Sequence, residues 1–272
     1  MAHDPARLPD VSEIPVVILC GGMGTRLREA SEKLPKPLVD IGGKPILWHI
    51  MKTYSEYGFR RFVLALGYKS DLIKQYFLDY RHLTSNFTLQ LGGTHEAAFH
   101  GEGTVEEWEI TFVETGLQSS TALRIARVAE HLDQPEFALT YGDGIGDVDI
   151  AGLLAHHRSE KRLATLTGVH PTSRFGELQV SGTAVTEFNE KPTGGWVNGG
   201  FFFMNREVID DYIANAGDVM LEAGPLQQLA RAGELSVYGH EGFWMGMDTF
   251  RDWTELNARW DSGSAPWKIW KD

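Results

Sequence analysis

The stretch Pro15-Val16-Val17-Ile18-Leu19-Cys20-Gly21-Gly22-Met23-Gly24-Thr25-Arg26 decides how the chain is read. Its first six residues are apolar, rich in β-branched side chains, and stop at two glycines. A run that short and that apolar reads as a buried central strand. Beyond it the period changes. Leu47, Ile50, Met51 and Tyr54 follow i, i+3, i+4, i+7, and Gly58 closes the segment. That spacing predicts an amphipathic helix, with Pro45 suited to its first turn. A second apolar run at 62–66 predicts a second strand. Ser70 is expected to cap a helix carrying Leu72, Ile73, Tyr76, Phe77 and Tyr80 on one face. The β-α-β-α alternation points to a mostly parallel sheet covered by helices.

Further along, 81–104 holds four glycines among scattered polar residues and reads as hairpin-like or irregular. Strands are expected at 109–113, 137–141, 163–169 and 199–204. Helices are expected at 121–132, 150–157, 207–215 and 225–232, and a hairpin at 179–188 turning at Ser181-Gly182. Four of the eight tryptophans fall after residue 252, as a cover for the core or as a subunit interface. We expect one α/β domain over 15–272, less regular in its second half. Residues 1–14 carry acids and prolines and are expected to form a flexible leader or an arm on another subunit.

Composition excludes several classes. Eight Trp, eight Tyr and 14 Phe in 272 residues supply ample apolar area for a core, so the whole chain is not disordered. The net charge of −12, from 37 acids against 25 bases, argues against sequence-independent nucleic-acid binding. A membrane span needs ~20 apolar residues, and the longest such run, 14–20, is far shorter. One cysteine rules out an intrachain disulfide framework and fits a reducing compartment. The cytoplasm is the expected location.

The candidate chemistry begins at the glycine turn. Gly21, Gly22 and Gly24 let the backbone approach a ligand and aim N–H groups at an anion. Arg26 adds a forked cation suited to phosphate. Two common phosphate motifs fail. The dinucleotide fingerprint lacks its third glycine, because Leu27 stands there, and Gly43-Lys44 is followed by Pro45 instead of the Ser or Thr of a P-loop. Pro35 and Pro37 stiffen the segment around Lys36, and Pro192 does the same after Lys191. Asp143 sits in Tyr-Gly-Asp-Gly at the carboxyl end of an expected strand, where open α/β sheets hold their ligands. A carboxylate there suits Mg²⁺, which takes one or two carboxylates plus substrate phosphates. Asp248 is a lone acid in Phe-Trp-Met-Gly-Met-Asp-Thr, and is either paired with a cation or a helix cap. Asp147 and Asp149 are caps or decoys. Asn198-Gly199-Gly200 suits a hydroxyl-rich ligand.

These segments occur in one order: Leu-Cys-Gly-Gly-Met-Gly-Thr-Arg-Leu, Pro-Lys-Pro-Leu, Gly-Asp-Gly, Glu-Lys-Pro, Asn-Gly-Gly-Phe-Phe and Met-Asp-Thr. In that order the chain resembles the sugar-1-phosphate nucleotidyltransferases from about residue 15 to 270, and within them the cytidylyltransferases that use glucose 1-phosphate. The resemblance implies a Rossmann-like nucleotidyltransferase fold, Mg²⁺ dependence and homo-oligomers. It implies a nucleotide-binding half at 15–150, a sugar-phosphate-binding half at 151–250 and an aromatic C-terminal segment at 251–272. Leu19, Gly21, Gly22, Gly24, Thr25, Ser120, Thr121, Arg124 and Gly142 would wrap the nucleoside triphosphate. Arg26 and Lys36 would neutralise its phosphates, and Asp143 and Asp248 would hold the metal. Lys191 would grip the sugar phosphate, with Gly176, Glu190, Asn198 and Gly199 lining the sugar pocket.

The implied reaction is attack of the sugar phosphate on the α-phosphorus, in line with departing pyrophosphate. A phosphate dianion is already a nucleophile, so no general base is needed. The chain departs from the cytidylyltransferase pattern at Thr121-Ala122-Leu123-Arg124, where two glycines are expected in place of Ala122 and Leu123. The change is expected to alter the base pocket. Gly224-Pro225-Leu226 and Met245-Gly246 also depart, on the sugar side or near the metal. CTP with glucose 1-phosphate is the first expectation. A purine triphosphate (GTP or ATP) or a cyclitol or modified-sugar phosphate is the alternative, and a non-catalytic sensor subunit is an alternative of another class.

Overall fold

The computed structural model describes residues 11–22, 34–92, 96–101, 105–170, 177–181, 183–189 and 195–271. In chain order its main elements are β1 (Val16–Leu19), α1 (Ile46–Glu56), β2 (Arg61–Leu66), α2 (Ser70–Leu78), α3 (Tyr80–Thr84) and β3 (Glu109–Glu114). Then follow α4 (Thr121–Val128), β4 (Glu136–Tyr141), α5 (Ile150–Glu160), β5 (Ala164–Val169), β6 (Val197–Asn205), α6 (Pro225–Ala232), β7 (Leu235–His240) and α7 (Phe250–Asp261). The seven strands form one sheet in the order β7-β5-β6-β4-β1-β2-β3. Every pairing is parallel except those of β6, which runs antiparallel to β4 and β5.

Burial on both faces explains the unbroken apolar strands. Val16 and Ile18 pack on one side with Leu64, Ala138, Phe201 and Phe203. Val17 and Leu19 pack on the other with Val63, Leu139 and Phe202. β1 sits between β4 and β2, so the carboxyl ends of β1 and β4 adjoin. This is the place where the strand order turns back on itself, and a crevice opens there.

The C-terminal residues wrap back over the first half. Trp267 is fully buried and Trp270 nearly so, in the cluster that holds Trp48 of α1. The His49 ring lies 4.8 Å from Trp260 and 5.8 Å from Trp270, centre to centre. Gly42 has φ +60 and lies against the Trp260 indole, which occupies the space a Cβ would need. Asn257 accepts the Gly42 N–H at 3.0 Å, and Trp253 Nε1 donates to Asp40 O at 2.8 Å. Helix α7 thereby pins the 40–43 turn, four residues beyond Lys36. Trp267 and Trp270 meet the expectation of a cover over the core.

Several sequence expectations change. Val11 and Ile14 are buried in the core, so residues 11–14 pack with the domain and are not part of a loose leader. Lys69 at φ 52 takes the cap position of α2, and the Ser70 hydroxyl turns to Glu114 instead of capping. The helix expected to 132 is α4 followed by a 3-10 turn (Ala129–His131). The helix expected at 207–215 shrinks to a π-helical turn (Ile209–Ile213). Residues 81–104 include part of α3 and a ribbon of Asn86–Leu89 on Ala97–His100. The edge strand β7 was not anticipated.

Candidate active site

Two far-apart segments meet at the crevice. Asp143 follows β4 by two residues, and Asp248 precedes α7. A small antiparallel ribbon joins them: Gly144–Gly146 pairs with Trp244–Gly246. Met247 N then donates to Asp143 O at 2.8 Å. The main chain thus fixes the separation of two carboxylates 105 positions apart. Gly146 allows this closeness, since a Cβ there would stand 2.7 Å from Phe243 O.

Lys36 completes the group. It opens a 3-10 turn (Lys36–Leu38) whose Pro37 and Leu38 are buried, so its backbone is anchored as the flanking prolines suggested. Its Nζ lies 2.6 Å from Asp143 Oδ2 and 2.7 Å from Asp248 Oδ1. Burial opposes its charge, but the two carboxylates outweigh burial and hold its pKa above the usual lysine value. Asp248 is not the helix cap. Thr249 caps α7, in a capping box with Asp252. Asp149 does cap α5, accepting from Gly152 N at 3.0 Å, while Asp147 faces His240.

Beside this trio lies a cavity of about 300 Å³. Leu19, Gly21, Gly22, Lys36, Ser120, Thr121, Arg124, Gly142 and Asp143 all line it, as does Cys20. Burial and the nearby Asp143 push the Cys20 thiol well above its ordinary pKa, so it is no nucleophile. Gly142 is needed for fit, because a Cβ there would lie 2.9 Å from Leu19 O and 3.3 Å from Pro37. Gly24, Thr25, Arg26, Gly176, Glu190 and Lys191 lie outside the described residues.

Arg124 has a different local task from a direct phosphate grip. Its guanidinium donates to Leu66 O (3.0 Å), Thr115 Oγ1 (2.7 Å), Gly116 O (2.8 Å), Gly21 O (3.1 Å) and Leu117 O (3.3 Å). It ties the glycine turn to the 115–117 loop across the cavity floor. Gly21 has no room for a side chain, since a Cβ would run into that guanidinium. A lysine has neither the fork nor the number of donors to replace it. Arg124→Lys is therefore expected to cost about 3 kcal/mol of stability, because buried carbonyls lose their partners. It should also raise KM for the triphosphate about tenfold with a smaller change in kcat. Denaturant unfolding and initial-rate kinetics check both.

Four further cavity residues escaped the sequence reading: Ser119, Tyr141, Met220 and Glu222. The Tyr141 hydroxyl donates to the Glu222 carboxylate, and burial with that carboxylate raises the tyrosine pKa. Thr121 Oγ1 accepts from Leu221 N at 2.6 Å, and Ser120 N donates to Asp218 at 2.7 Å. These bonds bring the 218–222 loop over the start of α4. Asn198 joins from the other side, its Nδ2 3.4 Å from Tyr141 Oη and its Oδ1 accepting from Gly200 N at 2.9 Å. Gly199 O accepts from Trp244 Nε1 at 2.7 Å. A hint was available for Tyr141, which directly precedes Gly142-Asp143 at a strand end. The loop residues had none.

In the segment 121–124, Thr121 and Arg124 line the cavity, whereas the two departing residues do not. Ala122 is buried in the core behind the sheet, and neither it nor Leu123 lines the cavity.

A crevice at the β1–β4 carboxyl edge, a glycine turn and two convergent carboxylates match a known pattern. The nucleotidyl transferase family model fits the chain over residues 15–261. The chain belongs to this family. A probable glucose-1-phosphate cytidylyltransferase of Bacillus subtilis is 45% identical over 255 residues, covering 93% of this chain and 99% of that protein. The glucose-1-phosphate cytidylyltransferase of Salmonella typhi is 45% identical over 258 residues, covering 94% and 99%. Among solved structures, HddC from Yersinia pseudotuberculosis complexed with GMP-PN superposes with a TM-score of 0.65 at 22% identity, covering 91% of this chain and 99% of that one. That likeness establishes the Rossmann-like nucleotidyltransferase fold. Among the described residues, no helix is long and apolar enough to cross a membrane.

Proposed function

We propose that the protein joins CTP and glucose 1-phosphate into CDP-glucose, releasing pyrophosphate. The observation that carries the reaction class is the meeting of Lys36, Asp143 and Asp248 beside the glycine turn. The choice of CTP and glucose 1-phosphate rests on the two 45% identical relatives. Neither Ala122 nor Leu123 is among the cavity-lining residues, which supports keeping the base of those relatives.

The side-chain chemistry fits Mg²⁺. Two partly exposed carboxylates converge within contact of one cation, and Mg²⁺ accepts such a pair together with phosphate oxygens. Asp143 and Asp248 would hold it, and bound there it supplies positive charge against the triphosphate. The protein's own part is positioning and charge. Gly21 and Gly22 offer backbone to the nucleotide at the end of β1. Lys36 carries a fixed positive charge to the phosphates, and Arg26 adds another. Lys191, with Gly176, Glu190, Asn198 and Gly199, receives the sugar phosphate. The attacking oxygen is already anionic, so the barrier is anion repulsion and alignment, which cations and a preformed cleft reduce. We assign the halves 15–150 and 151–250 to nucleotide and sugar phosphate, and expect a cytoplasmic homo-oligomer.

The test crosses CTP, UTP, dTTP, ATP and GTP with glucose 1-phosphate and other sugar phosphates in Mg²⁺, reading pyrophosphate. CTP with glucose 1-phosphate is expected to exceed any other pair by at least tenfold in kcat/KM. Release only with a purine triphosphate, or with no glucose 1-phosphate, would overturn the substrate assignment. No release with any pair would overturn the reaction class.

A further inference from the structure

The geometry points to Lys36 as an internal placeholder: its ammonium stands between Asp143 and Asp248 in the ligand-free protein and yields that position when the divalent ion arrives with the nucleotide. The inference rests on the reading of those carboxylates as the metal's ligands. Three observations carry it. First, the ammonium bonds to one oxygen of each carboxylate at 2.6 and 2.7 Å. Both contacts are of hydrogen-bond length, so a second cation held between the same two oxygens must displace it. Second, the carboxylates are held together by the backbone of the Gly144–Gly146 and Trp244–Gly246 ribbon, not by the lysine. The backbones that carry them therefore stay close when the ammonium leaves. Like charges fixed this close repel unless a cation intervenes. Third, the lysine can move while its backbone cannot. Pro37 and Leu38 are buried and fixed, whereas the side chain has four rotatable bonds. Lys36 lines the same cavity as Gly21 and Gly22, where the phosphates of the proposed nucleotide would lie.

The arrangement makes one cation serve two partners in turn. Without nucleotide, Lys36 neutralises the carboxylates and keeps the cleft assembled. A divalent ion alone must compete with it and binds weakly. When a triphosphate enters, its oxygens offer the ammonium a new anion, and the carboxylates become available. Metal and nucleotide therefore bind cooperatively, through a side chain that touches both. The coupling is reciprocal, as linkage requires.

The test uses the full-length protein and Mn²⁺ alone, with no nucleotide. Binding is read by the loss of free Mn²⁺ signal in electron paramagnetic resonance and by the Mn²⁺-dependent rise in Tm. Lys36→Gln, close in length and neutral, is the first variant, and Lys36→Met is the second. Both are expected to bind Mn²⁺ at least tenfold more tightly than the native protein. Adding Asp143→Asn to either variant is expected to erase the gain, which locates the ion at these carboxylates. If the variants fold only when Mn²⁺ is present, the ion has taken the ammonium's place, as expected. Unchanged Mn²⁺ affinity overturns the inference. So does a gain that survives Asp143→Asn, or variants that stay unfolded with and without Mn²⁺. Such a failure is separate from failure of the proposed function, which shows as absent pyrophosphate release in the native protein.

Discussion

Asp143→Asn is expected to leave a folded protein whose pyrophosphate release falls about a thousandfold. The size follows from the role. Removing one preorganised electrostatic group from a transfer reaction costs about 10²–10³ in rate, and on the proposed reading Asp143 would hold the metal besides pairing with Lys36. Asparagine keeps the shape, so the ribbon at 144–146 and the Met247 N–H to Asp143 O bond should persist. Lys36 retains Asp248 as a partner at 2.7 Å. The loss should therefore appear in kcat, with Tm little changed. A pyrophosphate-release assay beside a thermal melt checks both. Wild-type turnover by this variant would remove Asp143 from the chemistry.

Trp267→Ala should produce the largest loss of stability, about 3–5 kcal/mol. The side chain is fully buried, stacks on Phe243 at 5.5 Å and lies 6.4 Å from His49. Alanine would leave a void in the cluster that joins the C-terminal segment to α1. Trp267→Phe should cost far less. It keeps the stacked ring and discards Nε1, which is buried with no hydrogen-bond partner among the described residues. Urea unfolding of the two variants measures the contrast through the midpoint. Equal losses would mean that the indole makes a polar contact the packing does not explain. A loss under 1 kcal/mol for alanine would mean that the tail adds little to the core.

The readable parts of the fold were those with a strong local signal. β1, β2 and β4 announce themselves because burial on both faces demands continuous apolar residues. α1 announces itself through its period, and α6 through Pro225 at its start and Gly233 at its end. β7 does not, because an edge strand half open to solvent tolerates Ser236, Tyr238 and Gly239. The apolar spacing at 207–215 is helical and predicts a longer helix than the π-helical turn at 209–213, which packs against α4 and α6.

The same division holds for the site. Lys36 and Asp143 were legible because prolines and a strand end mark them locally. Asp248 was legible only as an anomaly, an acid in apolar company, until the ribbon explained its company. Arg124 was legible as a cavity residue but not as a brace, because its acceptors are carbonyls of three separate segments. Glu222 was not legible at all. Its place depends on the Asp218 and Leu221 bonds to the start of α4, which no local pattern encodes.

The C-terminal wrap has a bearing on how the protein is made. Chains emerge from the ribosome N-terminus first, and domains fold as units as they appear. Here Trp267 and Trp270 complete the same cluster as Val16, Ile18 and Trp48, which are synthesised well before them. The first half must wait, with part of its apolar surface uncovered, until those two tryptophans have left the ribosome. Its catalytic edge is in turn braced by α7 through the 40–43 turn. A nascent chain halted before residue 250 would therefore present β1 and its glycine turn without their final support.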